Sequence, residues 1–288
     1  MGSSVYEIIT GKIVEALEAG VIPWRKPWNV KLGTHCNFIT KKPYRGINAF
    51  VLALSGYSCP YWATYKQIEE KGGHVRKGEK STQIVYWNTF EKDDENTDET
   101  GKKKRIGFYR YFNVFNLAQA DGIATPEETK TDKPFNAIET AENIVGNMPN
   151  SPEIFHDSNQ ACYHPKTDKI HMPKREDFHS PEEYYSTLFH EMTHATGHET
   201  RLSRKGVTEA TYFGSDPYAN EELVAELGAA FLCAECGIVQ KTLDNSASYI
   251  KSWLSRLKQD SKLIFTASSQ AQKAADFILG EKQEEITE

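Results

Sequence analysis

The sequence contains no long apolar run. Hydrophobic residues make up 39% of its 288 residues and charged residues 26%. No uninterrupted apolar stretch approaches the roughly 18 residues that a membrane-spanning helix requires. The first residues, Met1 to Glu7, also lack the basic segment followed by an apolar one that marks a secretory signal. We therefore expect a cytoplasmic protein with no membrane partner.

Cysteine is scarce as well. The chain has 5 cysteines, an odd number, scattered without the spacing of a disulfide framework, which fits a reducing compartment. Cys233 and Cys236 form a single C-x-x-C within an apolar helical pattern. A redox or zinc role for this pair stays open, but two small buried residues on one helix is the simpler interpretation.

The motif that most narrows the function is His190-Glu191-Met192-Thr193-His194. The preceding residues 184–189 contain no Gly or Pro and predict a helix. Since four residues make about one helical turn, both imidazoles project from the same face. Two neutral imidazoles on one face form half of a Zn²⁺ site, and Glu191 is placed to act as general base on a metal-bound water. This pattern is typical of zincin metallopeptidases.

A second helical pattern, residues 218–232, offers the third metal ligand. Its apolar residues recur at helical spacing, and Glu222 and Glu226 lie one turn apart beside the small residues Ala225 and Gly228. Small side chains let another helix approach closely, so these carboxylates are within reach of the two histidines. By comparison with gluzincins, we predict that Glu222 binds the metal and Glu226 holds a ligand histidine by a hydrogen bond. The reverse assignment stays open.

His198 is a weaker candidate for a metal ligand. It repeats the four-residue step of the motif, but it follows Gly197, which is a helix-stop signal. In metzincins the third histidine lies three residues beyond the glycine, and here Thr200 occupies that position. We favour His198 as a residue that supports the helix end or a ligand, rather than as a third ligand.

Other polar residues near the motif receive smaller roles. We interpret Glu221 as part of a solvated helix face. Tyr212 and Tyr218 are candidates to stabilise an oxyanion, although packing is the simpler role for both. His164 and His171 fall on two short predicted strands joined by a turn, and we expect them near the site as surface residues.

Charge divides the chain into two parts. Residues 1–125 contain 18 Lys and Arg against 13 Asp and Glu, a net +5, whereas the remainder carries −11. Residues 121–134 contain two prolines among Thr, Glu and Lys, and they form the best linker. We predict an α+β protein of two domains, each with its own core: an α+β domain at 1–122, a linker at 123–133, and a mostly helical domain with a small sheet at 134–288.

Periodicity and turn signals predict the elements of both domains. An acidic segment, residues 91–101, separates the two main strands as a long loop. Outside the two helices of the motif region, the predicted helices are 4–20, 46–55, 63–71, 134–147, 246–260 and 266–279, and the predicted strands are 83–90 and 105–115.

The basic domain combines aromatic rings with cations, as in proteins that bind single-stranded nucleic acid, where rings stack on bases and cations contact phosphates. No helix-turn-helix, zinc-finger or RRM signature is visible, so base-specific readout of duplex DNA is not indicated. Burial of the tryptophans in the core is an equally weighted alternative. The candidate DNA-binding residues are Trp24, Arg25, Lys26, Trp28, Lys42, Tyr44, Arg45, Trp62, Lys66, Lys77 and Lys80.

Segments throughout the chain resemble the ArdC-type antirestriction proteins, whose N-terminal domain is related to the plasmid-transfer primase family. The resemblance implies sequence-independent binding of single-stranded DNA by the first domain, a zincin-like metallopeptidase as the second, carriage on a mobile element, and protection of incoming DNA from host restriction. The segments that carry it are residues 22–28, 44–49, 62–67, 75–80, 111–116, 190–198, 218–232 and 271–276.

Two functions from different classes follow. In the first, single-stranded DNA is the partner of the basic domain, and Zn²⁺ (or another divalent metal such as Mn²⁺) is held by His190, His194 and Glu222. Glu191 then activates water to cleave a peptide, with a host protein as the substrate. In the second, the protein only binds single-stranded DNA, and its metal site is structural or catalytically dispensable. A DNA-mimic role for the acidic domain is disfavoured, because its acids are interrupted by Lys and Arg. The sequence defines no oligomeric state.

Overall fold

A computed structural model describes residues 4–22, 24, 35–91, 105–124, 137–209, 216–238 and 246–281. Of the predicted site residues, Arg25, Lys26 and Trp28 lie outside these ranges, as does Tyr212. Most of the predicted linker and most of the acidic 91–101 segment also lie outside them, so the domain boundaries stay a prediction. Among the described helices, none has the length and apolarity to cross a bilayer.

The N-terminal part is a four-stranded sheet with three helices. Ser4 begins the first helix because its hydroxyl accepts a hydrogen bond from the backbone N–H of Glu7, whose carboxylate in turn accepts one from the backbone N–H of Ser4. The sheet has the order β1-β2-β5-β4, and β3 pairs separately with β6. In chain order the elements are α1 (Val5–Glu18), β1 (Cys36–Asn37), α2 (Ile47–Leu54), β2 (Tyr61–Ala63), α3 (Tyr65–Glu70), β3 (His74–Val75), β4 (Thr82–Glu91), β5 (Arg105–Asn116) and β6 (Ala120–Asp121).

Asn48 closes the outer edge of this sheet. Its side-chain amide donates to the carbonyl of Val85 at 2.7 Å and accepts from the N–H of Val85 at 2.8 Å. Strand β4 is an edge strand, so these two backbone groups would otherwise face outward without a neighbouring strand. The helix α2 therefore covers the edge through one side chain.

The C-terminal part is mostly helical with one small sheet. Strand β9 lies at the centre of that sheet, parallel to β7 and antiparallel to β8. Asp168 adopts a φ of 52° in the turn between β8 and β9, and the two strands were predicted on either side of such a turn. The elements are α4 (Ala137–Asn147), β7 (Glu153–Phe155), β8 (Cys162–His164), β9 (Lys169–His171), α5 (Pro181–Ala195), α6 (Lys205–Thr208), α7 (Asp216–Cys236), α8 (Ser246–Gln259) and α9 (Leu263–Ile278).

The two parts share a hydrophobic cluster. Ile9 and Ile13 of α1 are buried in one cluster with Leu223 and Leu227 of α7, and residues of α2, α8 and α9 complete it. Three further clusters each lie within one part, one around Leu188 in the C-terminal part and two around Trp62 and Ile68 in the N-terminal part, as expected of a core for each domain. The shared cluster was not predicted, whereas the α+β content of the two parts agrees with the prediction. Helix α1 takes part in the shared cluster because it packs mainly against α8, with smaller contacts to α2 and β5.

Candidate metal centre

Helix α5 carries the two motif histidines. It begins at Ser180, whose hydroxyl accepts from the N–H of Glu183 at 3.3 Å, and Pro181 stands at its first turn, where a missing N–H costs nothing. The helix packs against α7 at very short range. A β-carbon on Gly228 would lie 2.5 Å from Cγ2 of Thr193, so only glycine permits this approach. The predicted role of small residues on the second helix is confirmed at this position.

Three side chains from these two helices converge on one point. The Nε2 atoms of His190 and His194 lie 3.1 Å apart. Each faces a carboxylate oxygen of Glu222 at 3.6 Å. Among the described residues, His190, His194 and Glu222 form a group of potential metal ligands. Each offers one ligand atom, and these atoms all lie within 4.8 Å of one another. The structure thus brings together the two histidines and the glutamate that the sequence selected as ligands.

The opposite ring nitrogens also face carboxylates. Nδ1 of His194 lies 3.3 Å from Oε1 of Glu221, and Nδ1 of His190 lies 4.0 Å from Oε1 of Glu226. A carboxylate beside Nδ1 keeps the proton on that nitrogen, which leaves the lone pair of Nε2 directed at the common point. The interpretation of Glu221 as a solvated residue is wrong: it is 6% exposed and contacts a histidine.

This donor set fits a divalent cation. Two imidazole lone pairs and a carboxylate meet at short range, an arrangement that is repulsive unless positive charge lies between them. Although burial alone would lower the pKa of His190, hydrogen bonding to Glu222 and the charges of the surrounding carboxylates raise it to about 9. Burial would likewise raise the pKa of Glu222, but His190 and His194 hold it at about 2. Without a metal the site thus favours positive charge, which a proton on His190 supplies and which a bound divalent cation would replace.

Arg204 is a residue of this site that the sequence did not reveal. Its buried guanidinium donates to Glu221 through Nε at 3.1 Å and Nη2 at 2.5 Å. It also donates to the hydroxyl of Thr196 at 2.6 Å and to the carbonyl of Thr193 at 2.7 Å. Burial would raise the pKa of Glu221, but Arg204 and His194 keep it below its usual value. Arg204 therefore fixes the carboxylate that in turn contacts His194.

Two further residues surround the centre. Glu191 is 8% exposed, and its charge acts on His190 and on Cys162 of the edge strand β8. Tyr218 hydrogen bonds to Glu222 from one turn earlier on α7. It therefore contacts a candidate ligand, and a role for its hydroxyl at an oxyanion stays a prediction.

His198 lies apart from the converging group. It follows the end of α5, where its Nδ1 contacts the hydroxyl of Thr200 at 2.8 Å. Among the described residues, the converging ligand group consists of His190, His194 and Glu222, and His198 is not part of it. His164 and His171 lie on neighbouring strands with their rings 5.1 Å apart, and β8 packs against α5. Their expected place beside the site stays a prediction.

The structure corrects two of the candidate DNA-binding residues. Trp24 is fully buried and packs edge-to-face on Trp253, with ring centroids 5.5 Å apart. Trp62 is also fully buried, and its Nε1 donates to Nδ1 of His35 at 3.1 Å. Burial lowers the pKa of His35 to about 4, so the ring is neutral and accepts this bond. Neither tryptophan is open for stacking on a base, because both are core residues.

The other described candidates differ in exposure. Tyr44 is half-buried, and Arg45 forms ion pairs with Asp276 and Glu281 of the C-terminal part. Lys66 is exposed, with Glu70 at 3.7 Å. The remaining described candidates, Lys42, Lys77 and Lys80, are all exposed.

Comparison with known proteins identifies both parts of the chain. A family described as the N-terminal domain of anti-restriction factor ArdC matches residues 3–115, and a zincin-like metallopeptidase family matches residues 139–270. The fold and the converging donor set thus define a two-part protein with a zincin-like metallopeptidase domain.

Solved structures of similar proteins cover nearly the whole chain. The crystal structure of metal-free antirestriction ArdC protein from the R388 plasmid has a TM-score of 0.76 and 38% identity, covering 95% of this chain and 96% of that one. Its Mn(II)-bound structure has a TM-score of 0.77 and 37% identity, covering 96% and 98%. This chain belongs to the ArdC family of antirestriction proteins. The Mn(II)-bound relative and the donor set together support a divalent metal in this domain.

Curated relatives extend the likeness to longer proteins. A DNA primase TraC of Escherichia coli is 37% identical over 98% of this chain but only 28% of its own length. A second TraC of the same organism is 36% identical, and the chain spans 20% of it. An uncharacterized protein, y4eC, of Sinorhizobium fredii is 36% identical over 96% of this chain and 92% of its own length. The chain thus spans about a quarter of the primases that it matches.

Proposed function

We propose that this protein protects the DNA of an incoming mobile element from host restriction. It binds single-stranded DNA without sequence preference through its N-terminal part and hydrolyses peptide bonds at a metal centre in its C-terminal part. The observation that carries the enzymatic half is the convergence of His190, His194 and Glu222 beside the buried Glu191. Family membership supports the protective role.

His190, His194 and Glu222 would hold the metal, Zn²⁺ or Mn²⁺. When bound, such a cation lowers the pKa of a water molecule in its open position and polarises a carbonyl oxygen. Glu221 accepts the Nδ1 proton of His194, and the charge of Glu226, 4.0 Å from Nδ1 of His190, favours a proton there. Both Nε2 lone pairs would then point at the ligand position. Tyr218 orients the carboxylate of Glu222 by its hydrogen bond.

Glu191 is the general base in this proposal. Its carboxylate accepts a proton from the attacking water and transfers it to the nitrogen of the leaving amine. Its burial between α5 and the edge strand β8 limits competing solvent and strengthens its electrostatic contacts. Strand β8 has one unpaired edge among the described strands, which suits an extended peptide substrate from a host protein.

Charge supports the DNA-binding half. Residues 1–125 carry a net +5, and several lysines of this part are exposed, including Lys42, Lys77 and Lys80. Contacts of this kind to phosphates require no particular base sequence, and they weaken as salt concentration rises, because the counterions released on binding then gain less entropy.

One observation favours the alternative, a DNA-binding protein whose metal site is structural. The candidate ligands lie on α5 and α7, and α7 also contributes Leu223 and Leu227 to the cluster that both parts share. A cation between these helices would stabilise the packing of the whole chain without any chemistry.

The variant Glu191→Gln separates the two functions, because it keeps the size of the side chain but removes the base. We expect one bound metal per chain as in the wild type, at least a 100-fold loss of casein hydrolysis, and a loss of protection when unmodified DNA is transferred into a restricting host. The matched variant Glu176→Gln changes an exposed acid on the same part of the chain and should change none of these. Full protection by Glu191→Gln would instead support the structural alternative.

A further inference from the structure

The N-terminal sheet has an aromatic surface that the described helices leave uncovered. Tyr86 of β4 is 55% exposed and Phe112 of β5 is 46% exposed. Their rings contact each other edge-to-face, with centroids 6.1 Å apart. By contrast, the tryptophans Trp24, Trp62 and Trp253 are all buried.

The strand register places these rings on one face. Ile84 pairs with Phe112 and Tyr86 pairs with Arg110, so all four side chains lie on the same side of the sheet. At the end of the hairpin away from its turn, Trp62 packs with Ile84 and covers this side of the sheet. The exposed rings begin where that cover ends.

The formal charges on the strand segments beside the exposed rings are positive. From Lys80 to Phe90 and from Arg105 to Ala120 the sequence has no Asp or Glu, while Lys80, Arg105 and Arg110 are cationic. Lys80 lies two residues before β4 begins. At roughly 3.3 Å per residue of extended chain, it is about 20 Å from Tyr86. Within these two ranges a phosphate backbone would therefore meet only positive formal charge, whereas β4 ends at the acidic Glu91 opposite Arg105.

We propose that Tyr86 and Phe112 form a stacking surface for single-stranded DNA, with Arg110 beside it contributing charge. Rings on antiparallel strands stack on unpaired bases of any sequence, and the adjacent cations attract the backbone. The surface takes the place of Trp24 and Trp62, whose burial removes them from this role. The proposal rests on the proposed binding of single-stranded DNA and names where on the fold it occurs.

The opposite face of the same strand provides a matched control. Tyr111 is 49% exposed, close to the exposure of Phe112, and it is the preceding residue in β5. It pairs with Val85, whose side chain is buried in the cluster shared with the helices. Tyr111 therefore points away from the proposed surface, and truncation of either ring removes a similar exposed area.

The test measures the Kd of a fluorescein-labelled 20-nucleotide oligothymidine by anisotropy with the full chain. We expect Tyr86→Ala and Phe112→Ala each to raise the Kd about fivefold to 150-fold, the range for one lost base–aromatic stack. Tyr111→Ala should leave it within twofold. Phe112→Trp should retain binding and Phe112→Leu should lose it, because stacking requires an aromatic ring. Thermal unfolding checks that every variant is folded.

The outcomes separate this surface from the binding function itself. Wild-type binding together with unchanged Kd values for Tyr86→Ala and Phe112→Ala would overturn the proposed surface and leave the DNA-binding function standing. An equal loss in Tyr111→Ala, or full binding by Phe112→Leu, would also overturn it. If the wild type does not bind the oligonucleotide at all, both the surface and the proposed DNA-binding function fail.

Discussion

At the scale of single residues, the polar partners behind the histidines shape the candidate metal centre. A metal-bound imidazole needs its Nδ1 proton held in place, and Glu221 does this for His194 only because Arg204 fixes its position. Arg204 and Glu221 form a buried ion pair, so each would be costly without the other. A neighbouring arginine, Arg201, is equally buried but donates to Asp168 and to the carbonyl of Ala195.

The pair Arg204→Lys and Arg201→Lys tests this arrangement. Lysine keeps the charge but loses the two-pronged contact with Glu221, so we expect Arg204→Lys to weaken Mn²⁺ binding about tenfold to 100-fold. Arg201→Lys should leave the metal Kd unchanged, since its contacts do not reach the histidines. Calorimetric titration of the metal-stripped proteins gives both values. Equal metal affinities of the two variants would show that Arg204 contributes to the stability of the fold and does not position a metal ligand.

Single residues were also the hardest to assign from sequence. Glu221 and Glu222 are adjacent acids with the same apparent exposure, and only the packing of α5 on α7 shows that both are covered. Arg204 could not be predicted because its partner lies 17 positions away on another helix. Trp24 and Trp62 sit beside cations in the sequence, but proximity along the chain does not tell which face of an element a ring occupies.

At the scale of elements, periodicity was informative for helices that bury one face, such as α1 with Ile9, Ile13 and Leu17. The predicted helix 4–20 is α1 (Val5–Glu18), and the predicted strands 83–90 and 105–115 are β4 (Thr82–Glu91) and β5 (Arg105–Asn116). The short strands β1 and β3 were not predicted, because two residues carry no alternation of polar and apolar side chains.

The edge of β4 gives a prediction at this scale. Asn48 satisfies both the N–H and the carbonyl of Val85, so Asn48→Leu removes two hydrogen bonds and leaves two backbone groups partly buried without partners. We expect a loss of about 2–4 kcal/mol in the free energy of unfolding, measured with urea. Asn48→Asp keeps the acceptor and should lose about half as much. A change below about 0.5 kcal/mol for Asn48→Leu would show that water replaces the side chain at this edge.

At the scale of the whole molecule, α7 links the two proposed functions. One part of this helix carries Glu222 and Glu226, and the same helix packs against the N-terminal α1 and α2 through the shared cluster. Contacts between the parts also include Arg45 with Asp276, and the N–H of Gly46 with the side chain of Gln272 at 3.0 Å. The division into two charged halves was visible in the sequence, whereas this shared packing depends on contacts far apart in the chain.

The central claim is that His190, His194 and Glu222 together hold one divalent cation. Calorimetric titration of Mn²⁺ or Zn²⁺ into the metal-stripped full chain tests it most directly, with Glu222→Gln as the variant and Glu176→Gln as the control. We predict one site per chain in the wild type and the control, and at least a 100-fold weaker site in Glu222→Gln. Metal binding of wild-type strength by Glu222→Gln, or no binding by the wild type, would contradict the account.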